Sequence, residues 1–292
     1  MFKGTYTAIV TPFKDGQVDE QALEKIVRAQ IKGGVDGIVP VGTTGESPTL
    51  DYEEHSHVVD LSVKFAAGKL KVIAGTGGNS TSEAIYLTEE AEKSGADASL
   101  QVAPYYNKPS QEGLFQHFVE IARSTKLPII LYSIPGRCGI EIAVDTVARL
   151  AKQCKNIVGI KEAGGNADRV SALRAAVGPK FVILSGDDSL TLPFMAVGAS
   201  GVISVASNVI PKRVSDMVRA FTDGDVRKAL KIHEACYPLF KDLFIETNPV
   251  PVKAAMAMMG MIKEEYRLPL VPMSAKNRDT LQKTLRACGV IR

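Results

Sequence analysis

The sequence has no tryptophan, four cysteines, four histidines and no block of five charges of one sign in its 292 residues. Each scarcity excludes something. Cys138, Cys154, Cys236 and Cys288 contain no pair at the spacing of a zinc or redox motif, so they read as small buried hydrophobes. Of the histidines, His55 and His57 stand two apart on an expected helix and cannot share a face. With His117 and His233 far away in sequence, metal-dependent chemistry has no visible ligand set. Lys and Arg outnumber Asp and Glu by 35 to 32, a net charge of +3, which is no footprint for nucleic acid. The longest apolar stretch, 190–206, is interrupted by Pro193, Gly198 and Gly201 and falls short of the roughly 20 residues of a membrane span. The apolar run before Thr11-Pro12 is shorter than a secretory core, so the expected location is the cytoplasm. Neither a Walker A sequence nor a GxSxG elbow is present. Gly75-Thr76-Gly77-Gly78-Asn79-Ser80 approaches a dinucleotide fingerprint but has serine at the third glycine position.

What is present is an alternation. Short Val- and Ile-rich runs recur at 6–10, 37–41, 71–75, 98–102, 129–132, 157–160, 181–184 and 201–205. Most do not alternate with polar residues, as befits parallel strands buried on both faces. Helical patterns lie between them. Asp19-Glu20 opens one that ends at Gly33-Gly34, and Asp51 with Glu54, then Ser80 with Glu83, have capping-box spacing. Further helices are expected at 110–124, 144–152, 168–176 and 189–197. The repetition predicts an α/β fold, a (β/α)8 TIM barrel over residues 1–210. An open doubly wound sheet is the alternative. Residues 211–292 hold no comparable strand and read as helices at 211–222, 226–246, 249–261 and 275–287. With no low-complexity linker, this C-terminal helical appendage is expected to pack on the barrel.

A barrel of this kind carries its site at the C-terminal ends of its strands. That rule selects Gly42-Thr43-Thr44-Gly45-Glu46-Ser47, Pro104-Tyr105-Tyr106-Asn107, Tyr132 with Pro135-Gly136-Arg137, Lys161-Glu162 and Ser185-Gly186-Asp187-Asp188. Lys161 directly follows Ile157-Val158-Gly159-Ile160. Apolar walls there would disfavour the ammonium and yield the neutral amine that Schiff-base chemistry needs. The plainer alternative is a lysine marking the strand's exit into solvent. Thr43 and Thr44 offer hydroxyls and a run of backbone amides suited to a small carboxylate, or simply a Gly-rich turn. Tyr132 could serve as acid or base, or as a core tyrosine. Arg137 could clamp a carboxylate with its planar fork, or lie solvated on its loop.

Taken together, Gly42-Thr43-Thr44-Gly45-Glu46-Ser47, the run from Pro104 to Gly113, Leu131-Tyr132 with Pro135 and Arg137, Gly159-Ile160-Lys161-Glu162-Ala163 and Ser185-Gly186-Asp187-Asp188 resemble the dihydrodipicolinate synthase family. That family belongs to the pyruvate-dependent class I aldolase superfamily, and the resemblance runs essentially end to end. It implies a lyase that condenses pyruvate with L-aspartate 4-semialdehyde, giving 4-hydroxy-tetrahydrodipicolinate for lysine biosynthesis, with no cofactor and no metal. Lys161 would carry the Schiff base. Tyr132 would donate and accept protons, with Thr43 and Tyr106 completing a hydroxyl relay. Thr44 would hold the pyruvate carboxylate, Gly186 and Ile203 would line the site through their backbone, and Arg137 would bind the semialdehyde carboxylate. Tyr106 would serve a neighbouring subunit, so the resemblance implies a homo-oligomer, usually a tetramer built as a dimer of dimers.

The resemblance also implies a possible L-lysine effector site at Ser47, Pro48, His55, Asn79, Glu83 and Tyr105. Tyr52 departs from it, standing where lysine-sensitive members often carry histidine. Three alternatives remain at this point. N-acetylneuraminate lyases and 2-keto-3-deoxy sugar acid aldolases share the lysine and the strand-five tyrosine. A nucleotide-dependent oxidoreductase would rest on the Gly75–Ser80 loop alone. A barrel that has lost catalysis would act as a binding protein.

Overall fold

In a computed structural model that describes residues 2–292, eight parallel strands close into one barrel. They are β1 (Gly4–Ala8), β2 (Gly37–Val39), β3 (Lys71–Gly75), β4 (Ala98–Val102), β5 (Ile129–Ser133), β6 (Ile157–Glu162), β7 (Val182–Ser185) and β8 (Gly201–Ser204). Each strand pairs with its neighbours in sequence, and β8 returns to β1 in a register running from Gly4–Gly201 to Thr7–Ser204. Closure leaves no open edge, which disposes of the doubly wound sheet. A small hairpin, Phe13–Lys14 with Gln17–Val18, leads into the first helix.

The helices that follow the strands are α1 (Glu20–Gly33), α2 (Tyr52–Ala66), α3 (Thr81–Lys93), α4 (Gln111–Ser124), α5 (Val144–Gln153), α6 (Ala167–Val177), α7 (Thr191–Ala196) and α8 (Pro211–Thr222). Their starts are written in side chains. Asp51 Oδ1 accepts from Glu54 N at 2.8 Å while Glu54 Oε2 accepts from Asp51 N at 3.3 Å, closing the capping box on α2. Ser110 and Asp19 cap α4 and α1 one-sidedly, their side chains accepting from Gly113 N and Ala22 N, each cap contributing about 1 kcal/mol. α8 packs on β1 and α1 on one side and on α9 (Val226–Asp242) on the other. It therefore touches both sides of a division drawn at residue 210. α10 (Val250–Met258) and α11 (Ala275–Ala287) complete the chain, with α11 packed on both α9 and α10.

Two apolar cores result. One fills the barrel's interior with Ile73, Leu100, Ile130, Leu184 and Ile203, the inward side chains of alternating positions. The other, larger, lies between strands and helices. All four cysteines are free thiols, three of them buried. No helix among the described residues is long and apolar enough to cross a membrane.

Several boundaries differ from the sequence expectation, each for a local reason. β1 stops at Ala8 rather than 10, because the Asn208 side chain takes over its last bonds. Asn208 Nδ2 donates to Ala8 O at 2.8 Å and Oδ1 accepts from Val10 N at 3.4 Å. β6 runs two residues past 160, because Lys161 and Glu162 pair with Tyr132 and Ser133 on one side and Leu184 and Ser185 on the other. Lys161 is thus an inward residue at the strand end, as the strand-end rule expects. α7 begins at Thr191, since Asp187 Oδ1 holds the amides of Ser189 and Leu190 in a turn.

Candidate active site

Lys161 and Tyr132 are register partners on adjacent strands, so their side chains point the same way, into the barrel mouth. Lys161 Nζ sits 4.1 Å from the centroid of the Tyr132 ring. Both residues are buried, Lys161 to 7% exposure. Burial lowers the Lys161 amine to about 7, with the Asp188 carboxylate opposing the fall and the Arg137 guanidinium adding to it. Burial raises the Tyr132 phenol to about 12, with Arg137 and the hydrogen-bonding Thr43 hydroxyl pulling the other way. Near neutrality the pair is a partly free amine beside a protonated phenol, a nucleophile next to a proton donor. Lysine as a simple strand terminator is thereby set aside.

Gly186 is where the barrel makes room. A Cβ there would lie 2.7 Å from Ala163 Cβ and 3.1 Å from Lys161 Cε, so any side chain would press on the lysine stem. The resulting cavity, about 50 Å³, is lined by Thr43, Thr44, Tyr132, Arg137, Lys161 and Gly186, with apolar Leu100, Ile134, Val205 and Phe244 between them. Ile203 fills the barrel interior beneath it, and Val205, just past the same strand, supplies the wall. The Thr43–Gly45 turn is fixed by Gly45 N donating to Gly42 O at 3.0 Å and Thr11 Oγ1 donating to Gly45 O at 2.7 Å. Arg137, exposed at the entrance, donates from Nη2 to Asn248 O at 3.0 Å.

A second cavity of about 210 Å³ opens beside the first and shares Thr43, Tyr132 and Arg137 with it. Ser47, Pro48 and Tyr105 line this one. Asn79 Nδ2 donates to Tyr105 O at 3.2 Å, and burial, with the Glu83 charge adding to it, raises the Tyr105 phenol. His55 stays behind the wall: it is buried, kept neutral by burial, and its Nε2 is 2.9 Å from Gly75 O. Five of the six residues expected around an effector thus gather at one side of the mouth, while His55 supports Gly75 from within. Tyr52, the departing residue, packs against Tyr86 with centroids 5.4 Å apart and the rings tilted by 40°.

Tyr106 does not join the others within one chain. It is 90% exposed, has a left-handed φ of 72°, and lines neither cavity. For a bulky non-glycine residue that backbone conformation is strained, and strain persists where something over-determines it.

Three features escaped the sequence. Asp188, quoted only within a motif, is a buried carboxylate raised to about 6 by burial and held by Ser204 Oγ at 2.5 Å and the amides of Val205 and Ala206 at 3.0 Å. Glu46, at φ 55°, forms an ion pair with Lys253 of α10, both side chains fully buried. Asn248, just before α10, touches Thr44 and Arg137. The strand-end rule reaches none of the C-terminal residues, because they come from beyond the barrel. Among the described residues no group of three or more His, Cys, Asp or Glu could hold a metal.

With this geometry in view, comparison with known proteins is specific. A model of the dihydrodipicolinate synthetase family matches residues 1–288. The 4-hydroxy-tetrahydrodipicolinate synthase of Aquifex aeolicus (strain VF5) is 53% identical over 286 residues, 98% of this chain and 97% of that protein. The solved structure of the 4-hydroxy-tetrahydrodipicolinate synthase from Methylacidiphilum fumariolicum SolV is similar at a TM-score of 0.98 and 58% identity, covering 99% of this chain and 96% of that one. A dihydrodipicolinate synthase from Cyanidioschyzon merolae, solved with lysine bound, is similar at a TM-score of 0.97 and 42% identity, over 99% of both chains.

Proposed function

The chain belongs to the dihydrodipicolinate synthetase family, and from that premise we propose that it is a lyase condensing pyruvate with L-aspartate 4-semialdehyde through a Schiff base on Lys161. The product is 4-hydroxy-tetrahydrodipicolinate, on the diaminopimelate route to L-lysine, and the place of action is the cytoplasm. The observation that carries the reading is the buried Lys161 amine, near 7, against the Tyr132 ring at the barrel mouth.

Each step uses a group already described. The neutral Lys161 amine adds to the keto carbon of pyruvate. Tyr132 delivers the proton with which the hydroxyl leaves as water, giving the imine. Thr44 and neighbouring backbone amides hold the carboxylate meanwhile. Tyr132, having given up its proton, takes one from the methyl group and converts the protonated imine to an enamine, whose carbon attacks the aldehyde of the second substrate. The amino group of that substrate then closes the ring on the imine carbon and displaces Lys161. Thr43 carries protons between Tyr132 and solvent. Arg137 receives the semialdehyde carboxylate, and Gly186 and Ile203 shape the floor through their backbone.

Tyr106 completes the relay in a second copy of the chain, which makes the working unit at least a dimer and the expected assembly a tetramer. Its exposure and left-handed backbone support this, because they project the phenol away from its own barrel. L-lysine binds as an effector beside Ser47, Pro48, Asn79, Glu83 and Tyr105, with His55 holding the wall. A sugar-acid aldolase would require more hydroxyl-binding side chains than the largely apolar lining provides. A coupled assay decides between them. Turnover with pyruvate and L-aspartate 4-semialdehyde supports the proposal, and turnover only in cleavage of a sugar acid overturns it.

A further inference from the structure

Asn248 stands at the junction of the two substrate sites although it belongs to neither barrel strand nor barrel loop. Its side-chain Nδ2 donates to Thr44 Oγ1 at 3.1 Å, and its backbone carbonyl accepts from Arg137 Nη2 at 3.0 Å. The residue is 5% exposed and lines the same cavity as Lys161. Its Oδ1 is buried without a hydrogen-bond partner. An unpaired buried acceptor is costly to a fold, so an amide here is a poor choice for stability alone. An apolar residue would fill the space without that cost. What the amide adds is one directional bond, to the hydroxyl that faces the pyruvate carboxylate in the reading above.

The segment that carries Asn248 is itself clamped to the site loop. Lys253, on the following helix, donates to Glu46 Oε1, and Arg267 N donates to Glu46 Oε2 at 3.2 Å. Glu46 directly follows the Thr43–Gly45 turn. The loop bearing Thr44 and the segment running from Asn248 into α10 are thus tied at two points, Asn248–Thr44 and Lys253–Glu46.

We propose that Asn248 is a positioning residue that fixes the Thr44 hydroxyl for the pyruvate carboxylate while its carbonyl sets the Arg137 guanidinium. The C-terminal helical region is thereby part of substrate selection. This rests on the pyruvate reading, and the test separates the two.

The experiment is borohydride trapping of the full-length protein across a pyruvate series, for the unaltered chain, Asn248→Ala, Asn248→Asp, Thr44→Val and the double variant Asn248→Ala/Thr44→Val. Asn248→Ala is expected to raise half-saturating pyruvate about tenfold, as loss of one hydrogen bond in a closed site does. Trapping at saturation should change little. The double variant should be no worse than the poorer single one, because both remove the same contact. Asn248→Asp should bind pyruvate more weakly than Asn248→Ala, since it puts a like charge near the carboxylate. A merely structural role predicts the opposite order, the isosteric aspartate being milder. That order, or multiplying effects of the two single changes, would overturn the proposal. Absence of any adduct in the unaltered chain would instead overturn the pyruvate reading, and the proposal with it.

Discussion

Tyr132 and Lys161 face each other across the β5–β6 ladder in register, the amine 4.1 Å from the ring centroid. The ladder, not a flexible loop, sets that distance. Side chains at the inward end of two rigid strands lose little freedom on binding substrate, which is the advantage of building a reacting pair on a barrel.

Adduct formation should rise with pH through about 7, because only the neutral Lys161 amine attacks the keto carbon. Asp188 favours the ammonium, so Asp188→Asn should move that rise to lower pH. Arg137 disfavours the ammonium, so Arg137→Met should move it to higher pH. Single-turnover trapping rates between pH 5 and 9, roughly two pH units either side of the amine's midpoint, measure both shifts.

Lys161→Met should stabilise the protein while abolishing its chemistry. The buried amine titrates near 7 but near its ordinary 10.5 when unfolded. The unfolded chain therefore binds more protons between these values, and the cost of burying the lysine grows as pH falls from 10.5 to 7. Removing it should raise Tm at pH 7 by about 4 °C for each 2 kcal/mol recovered, and by much less above pH 10.5. Melting curves of the two proteins at both pH values give the answer; an equal Tm at pH 7 contradicts the desolvated lysine.

Breaking the Glu46–Lys253 pair from one side should be expensive. Lys253→Met leaves the fully buried Glu46 without its cation, a change that costs about 3–5 kcal/mol. Adding Glu46→Gln removes the uncompensated charge and should restore part of the loss. Urea denaturation of the single and double variants reads this directly, and additive losses would mean that the two side chains do not act as a pair.

Tyr106→Phe should lower turnover strongly yet leave the pyruvate adduct on Lys161. Its hydroxyl enters the proposed relay from a second chain, whereas the proposed imine formation uses Lys161 and Tyr132 of the same chain. Turnover near that of the unaltered protein would remove Tyr106 from the relay.

Millimolar L-lysine should inhibit, with Glu83→Gln reducing the effect, because the ligand's ammonium needs a counter-charge beside Tyr105. Initial rates against L-lysine concentration test this. A flat curve for the unaltered protein would leave the second cavity without that role.

The barrel was legible because its strands are continuous apolar runs and its helices begin at side-chain caps such as Asp51 with Glu54. The catalytic candidates were legible because the strand-end rule points at Thr43, Tyr132 and Lys161 without knowledge of contacts. Lys161-Glu162 was legible as a strand end, and what the run alone did not reveal is the register that pairs Lys161 with Tyr132 and Leu184. Asn248 and Lys253 were invisible for a different reason. They act on residues 204 and 207 positions away, and nothing in a local pattern marks an asparagine before Pro249 as a site residue. Asp188 lay within a noted motif, but its influence on Lys161 is electrostatic and needs burial to be seen.

The most direct measurement is borohydride reduction of the protein with pyruvate, followed by intact mass and peptide mapping. The expected product is a single reduced pyruvyl adduct, located on Lys161. No adduct, or one on another lysine, would contradict that expectation and bring forward a barrel that binds without catalysing.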